Sequence, residues 1–270
     1  MSIKLKQLLA LPTLERTTQL YEEVYDDFIR YAGGTRLTDK FNVPNGKDNA
    51  DYIFYLNDYE IILELKQVTK YEKDNSIDEY FQKELNKGKL QNFKKLNGNK
   101  IQITPESLSK SEWDKFYKKF RPSISRTLNK ASSQLKDTET FIHETNKSRF
   151  KGVILINSND YNLATDLLFR LVEWKIKKEW KMDNYSSIDF VSCTTIDMFK
   201  NNQNPLYARH IAKTIDNPLL INAVRYLYEK WISYVADALN MKVTKKEEQA
   251  LLEQGQIDLV KPFQGKILFN

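Results

Sequence analysis

One segment limits what this chain can fold into more than any other: Asp51-Tyr-Ile-Phe-Tyr-Leu-Asn-Asp-Tyr-Glu-Ile-Ile-Leu-Glu-Leu-Lys66. Two arms rich in β-branched and aromatic residues flank Asn57-Asp58, a two-residue turn of the kind that tolerates positive φ. With that turn, Leu56 pairs with Tyr59, Ile53 opposes Ile62, and Asp51 opposes Glu64. Opposed residues share a face of the sheet, so the two carboxylates stand about 5 Å apart at Cβ. Lys66 lies two residues beyond Glu64 and points the same way. Leu63 and Leu65 point to the other face, into a core.

Like charges directly opposite on neighbouring strands repel. A divalent cation removes the repulsion, because Mg²⁺ takes hard oxygen ligands and commonly one or two protein carboxylates. The competing reading is a solvated strand face, with Glu64 and Lys66 as an ion pair and Asp51 as a strand-entry residue.

An aspartate followed by Glu-x-Lys at the end of an apolar strand (Ile61-Ile62-Leu63-Glu64-Leu65-Lys66) resembles the core motif of the PD-(D/E)xK nuclease superfamily. Ala50 stands where the motif has proline, a backbone feature and not a ligand. The resemblance implies an α/β fold with a restriction-endonuclease-like mixed sheet flanked by helices, and Mg²⁺-dependent phosphodiester hydrolysis in which Mn²⁺ can substitute. It implies DNA as the substrate, and restriction or anti-phage defence as a setting. On the same ground Asp51, Glu64 and the Leu65 carbonyl are expected to bind metal. Lys66 is expected to position the attacking water. The first helix often adds an acid to such a site; Glu22 fits best, with Glu23 as the alternative. A lysine or glutamine on a later helix often approaches it, which points to Lys130 and Gln134.

Composition agrees with a polyanionic partner. The formal net charge is +6 and the pI is near 9.0. The charge is local: residues 70–136 hold 16 basic and 8 acidic side chains, an excess larger than that of the whole chain. Lys94, Lys95, Lys118 and Lys119, interleaved with Trp113, Phe116 and Tyr117, suit a phosphate backbone with some stacking. Cys193 is the single cysteine, so no internal disulfide is expected. His143 and His210 are the only histidines, which argues against zinc or a His-Asn-His nuclease. No apolar run reaches a membrane span and no signal peptide is evident, so a cytoplasmic protein with no membrane partner is expected.

Along the chain, Thr13–Tyr31 reads as a helix stopped by Gly33-Gly34, and Thr35–Val43 as a first strand. A basic insertion, helical in pattern, covers about 70–120, with Tyr80, Phe81, Leu85, Leu90 and Phe93 on one apolar face. Arg121–Leu135 reads as the next helix. Its stripe is Ile124, Leu128, Ala131 and Leu135, and Arg126, Lys130 and Gln134 stack beside it. Val153–Ile156 reads as a buried strand, followed by a helix at Leu163–Trp180 and a strand at Ile188–Ser192. The expected core is therefore about 13–69 and 121–192. A helical C-terminal part, about 205–270, is expected to begin with helices at Leu206–Ile215 and Pro218–Leu239. The second covers the core or forms a homodimer surface. Cys193 and His210 read as structural. The rival function is a nucleic-acid-binding module of the same fold without catalysis. A third reading is an interaction protein whose hairpin is coincidental.

Overall fold

The computed structural model describes residues 3–11, 15–68, 76–91, 93–95, 101–103, 107–142, 146–157, 165–195, 208–240 and 267–269. Among these, an open mixed sheet carries helices on both faces, an α/β architecture.

The chain opens with α1 (Ile3–Ala10) and α2 (Thr18–Tyr31). Sequence reading gave no helix at α1; Leu5 and Leu8 are buried there. Thr17 caps α2 by accepting from the Leu20 amide at 3.3 Å. Gly33, at φ +84°, ends it in a conformation that a side chain rarely adopts. The expected first strand is only β1 (Thr35–Arg36), followed by a 3-10 turn at Leu37–Asp39.

The hairpin is β2 (Tyr52–Tyr55) and β3 (Tyr59–Val68). Ile53 faces Ile62 as expected, and the Leu56 amide closes the turn onto the Tyr59 carbonyl at 2.9 Å. The turn chemistry differs from expectation: the non-glycine residues with positive φ among those described are Asp183, Tyr185 and Asn240, not Asn57 or Asp58. The two-residue loop closed by Leu56 and Tyr59 fixes the register without a left-handed residue, and apolar side chains fill both faces of the hairpin.

After α3 (Ser76–Asn86) come two short strands, β4 (Lys94–Lys95) and β5 (Ile101–Ile103). The insertion is thus not wholly helical, and Lys94 and Lys95 lie on a strand. These two strands form a small second sheet with β9 (Ile267–Phe269). The expected break at residue 121 is absent, because α4 runs unbroken from Lys110 to Glu139, through Pro122. A capping box joins Ser109 and Glu112 at its start.

Next come β6 (Ser148–Asn157), α5 (Thr165–Lys181) and β7 (Phe190–Thr195). Ala208–Ala212 is the strand β8, not a helix. The edge of β7 supplies antiparallel backbone partners from Phe190 to Thr194, which a helix at this position would leave unpaired. The helix α6 (Pro218–Leu239) has the expected bounds, with Asn217 capping the Leu219 and Leu220 amides. Its apolar side is buried within the chain. Residues 158–164, between the buried strand and the next helix, and most of the tail after 240 lie outside the described residues.

The main sheet has the order β1-β2-β3-β6-β7-β8. β3, β6 and β7 are parallel neighbours and the outer pairings are antiparallel. One core lies on the face of Tyr52, Phe54, Ile61 and Leu63, covered by α1, α2 and α6. The other lies on the face of Ile53 and Ile62, covered by α3, α4 and α5. The expected insertion face joins this second core through Phe81 and Leu90, as does the stripe Ile124, Leu128, Ala131 and Leu135. Gly152 lets β6 and β7 pack closely, since a Cβ there would lie 2.1 Å from the Phe190 ring. Cys193 and His210 are buried, the latter bonded to Ser192. No helix among the described residues is long and apolar enough to cross a membrane.

Candidate active site

β3 outruns β2. The last cross-strand pair is Tyr52 with Leu63, and β3 continues to Val68. Beyond Leu63, the side of β3 facing β2 lacks a strand partner. Asp51 occupies the first gap: its backbone amide donates to the Leu63 carbonyl at 3.0 Å, and its Oδ2 accepts from the Leu65 amide at 2.7 Å. The Leu37 amide holds the Asp51 carbonyl from the other side at 2.9 Å. A strand residue aims its N–H and C=O to the same side, so the Leu65 carbonyl opens toward Asp51.

Glu64 shares the face of Ile53 and Ile62 and is fully buried. Lys66 Nζ donates to its Oε1 in a very short contact, while Oε2 has no hydrogen-bond donor. Glu60, earlier on the same strand and also buried, shows the ordinary solution. Arg149 from the neighbouring strand donates to its Oε2 at 3.0 Å. Glu64 faces a second carboxylate instead. Burial, and then the Asp51 charge, push its carboxyl up to about 8, although Lys66 opposes the shift. Burial also raises Asp51, against the Leu65 amide and Lys66. Each of the two carboxyl groups shifts the other. A proton on Glu64 or a cation between the two carboxyl groups would relieve that burial and repulsion.

The residues fit a hard divalent cation. Two carboxylates and a backbone carbonyl converge, one carboxylate oxygen lacks a donor, and Mg²⁺ commonly takes one or two protein carboxylates with water completing its shell. Among the described residues no group of three His, Cys, Asp or Glu side chains gathers to hold a metal. Any cation here would rely on Asp51, Glu64 and backbone or water oxygens.

The helix α4 steadies the entry to this site. Thr138 Oγ1 accepts from the Ala50 amide at 2.7 Å, and Gln134 Nε2 donates to the Asn49 carbonyl at 3.0 Å. Gln134 thus reaches the segment leading into Asp51, with its Oε1 buried and without a partner. The structure does not bring Glu22 to the carboxylates. It is exposed on α2, which packs on the opposite face of the sheet. Glu23 is bonded to Lys4 and Gln19. The buried acid of α2 is Asp26, which accepts from Arg36 Nε at 2.9 Å and from the Tyr52 hydroxyl at 2.7 Å. Arg36 also opposes, weakly, the rise that burial gives the Asp51 carboxyl. Sequence reasoning missed Asp26, although an acid inside the apolar arc between Tyr25 and Phe28 was the available signal. Arg126, Lys130, Lys118 and Lys119 are exposed on α4. Lys94 and Lys95 lie on β4.

No family model matches the chain, and no curated protein or solved structure does either.

Proposed function

We propose that this chain is a metal-dependent nuclease of restriction-endonuclease-like fold, hydrolysing phosphodiester bonds in DNA. The observation that carries the reading is the junction of Asp51, Glu64 and Lys66 at the overhanging end of β3, with a buried Glu64 oxygen that no donor satisfies. The order helix, hairpin, helix, buried strand supports it by resemblance to the PD-(D/E)xK superfamily. Asp51, Glu64 and the Leu65 carbonyl would hold Mg²⁺ or Mn²⁺. A metal bound there lowers the pKa of a coordinated water and stabilises charge on the phosphate. Lys66, mostly buried beside Glu64, holds a water or a phosphate oxygen with the same ammonium that pairs with the carboxylate. Gln134 fixes the Asn49–Asp51 entry through its amide nitrogen. The exposed cations of α4, Lys118, Lys119, Arg126 and Lys130, contact the phosphate backbone.

One observation favours a second reading. Lys66 and Glu64 are already paired, and no third acid joins the carboxylates among the described residues. A nucleic-acid-binding module without catalysis accommodates both facts. Incubation with plasmid, linear duplex and single-stranded DNA, with and without Mn²⁺, separates the two. Cleavage that requires metal and disappears in Asp51→Asn supports the nuclease. Binding without cleavage under every condition supports the module.

A further inference from the structure

The helices α4 and α5 run side by side and enclose an open cleft of about 520 Å³, away from the carboxylates. Tyr117 of α4 and Trp174 of α5 stack across it, with ring centroids 5.9 Å apart and planes 19° from parallel. Trp113 continues the stack on the other side of Tyr117, at 5.9 Å and 26°. Trp113 and Tyr117 pack against the core, whereas Trp174 belongs to neither core cluster and is partly exposed. The guanidinium of Arg121 lies over the Trp174 ring at 5.9 Å.

The charge lining this cleft is one-sided. Arg170, Lys177, Lys178 and Lys181 face it, against Glu173 as the one acid among the described lining residues. Glu173 takes both Arg170 and Lys177, at 2.6 Å each. Among the described residues, Lys178 and Lys181 make no ion pair and stand exposed on the last turn of α5. The cleft therefore presents a parallel aromatic stack beside uncompensated cations.

We propose that this cleft binds a single strand of nucleic acid, with an unpaired base extending the stack at Trp174 and phosphates on Lys178 and Lys181. Stacked aromatics with flanking cations suit unpaired bases, because every base has a π-face. In a duplex interior both faces of each base are already covered, so the stack discriminates against paired substrate. The geometry also gives the strand a direction. At 1.5 Å per residue, Gln134 lies about 25 Å along α4 from Tyr117. Arg126 and Lys130, both exposed, fall between the two. A strand leaving the cleft reaches the Asp51–Glu64 end by crossing the outer surface of α4 past Arg126 and Lys130. This last step rests on the nuclease reading; the binding itself does not.

Binding is read on the full chain in EDTA, where no metal-dependent cleavage occurs, by anisotropy of labelled oligothymidylate, oligouridylate and a short duplex. Trp174→Ala should weaken oligothymidylate binding about tenfold, with a smaller effect on the duplex. Lys178→Glu with Lys181→Glu, both on the surface, should flatten the log–log salt dependence by about 0.7 per lost contact. The oligouridylate arm tells a DNA-selective cleft from one that takes either sugar. Parent-like binding in either variant overturns the proposal. So does an equal loss for duplex and single strand in Trp174→Ala, or competition by polyglutamate as strong as by oligothymidylate. Loss of cleavage in Asp51→Asn with unchanged binding in the cleft variants would retire the cleft and leave the nuclease standing.

Discussion

Glu64→Gln tests the site through stability, independently of any substrate. The Glu64 carboxyl lies at about 8 in the fold against an ordinary 4.5. A folded-state pKa above the unfolded one means that the folded protein binds the proton more tightly. The stabilisation is then fully present below pH 4.5 and is lost as pH rises through about 8. At about 1.4 kcal/mol per pH unit, the full span is worth ~5 kcal/mol, an upper figure because Asp51 and Glu64 act on each other. Glutamine keeps the shape, accepts from Lys66 through its oxygen, offers an amide hydrogen to Asp51, and does not titrate. Thermal melts from pH 5 to 9 should therefore show the parent losing stability more steeply than Glu64→Gln, the mutant being the more stable above pH 8. At about 2–4 °C per kcal/mol for a large domain, that span corresponds at most to roughly 10–20 °C in Tm. Mg²⁺ or Mn²⁺ at pH 8 should raise the parent's Tm by replacing the proton and leave that of the mutant unchanged. Parallel melting profiles across the pH range would refute the reasoning, because Glu64 would then be ionised in the fold at no cost.

Lys66→Ala should abolish cleavage while the parent-like rise of Tm with Mn²⁺ persists at pH 9; cleavage at the parent's rate removes Lys66 from the chemistry. An ion pair with a purely structural role predicts instead unchanged cleavage and a stability loss of about 3–5 kcal/mol, the cost of leaving a buried charge without its partner. Charge reversal at Lys118 and Lys119 should lower the salt slope of duplex DNA binding by about 0.9 per lost contact, and an unchanged slope moves the duplex surface off α4. Gly152→Ala should cost about 1–3 kcal/mol, because the new methyl meets the Phe190 ring. Adding Phe190→Leu should restore much of that in urea unfolding, and no recovery would locate the strain elsewhere.

The sequence by itself determined the features that depend on near neighbours. The two-residue loop at Asn57-Asp58 set the hairpin register, because loop length fixes which residues of the two arms stand opposite one another. Pro218 at the first turn and Asn217 as cap set the start of α6, and the stripe from Ile124 to Leu135 set the buried face of α4. The approach of Asp51 to Glu64 followed from the same register.

Tertiary structure decided what no local pattern encodes. Ala208–Ala212 became a strand because β7 offered an open edge. Asp26 became the buried acid of α2, with Glu22 left in solvent, because Arg36 and Tyr52 arrive from later in the chain to bond it. The shift at Glu64 needed its complete burial beneath α4, a matter of packing and not of spacing. Tyr117 and Trp174, far apart in sequence, form one stack only where α4 and α5 meet. Hydrophobic periodicity fixes which way a side chain points, but the partner it meets there depends on which distant segment fills the space.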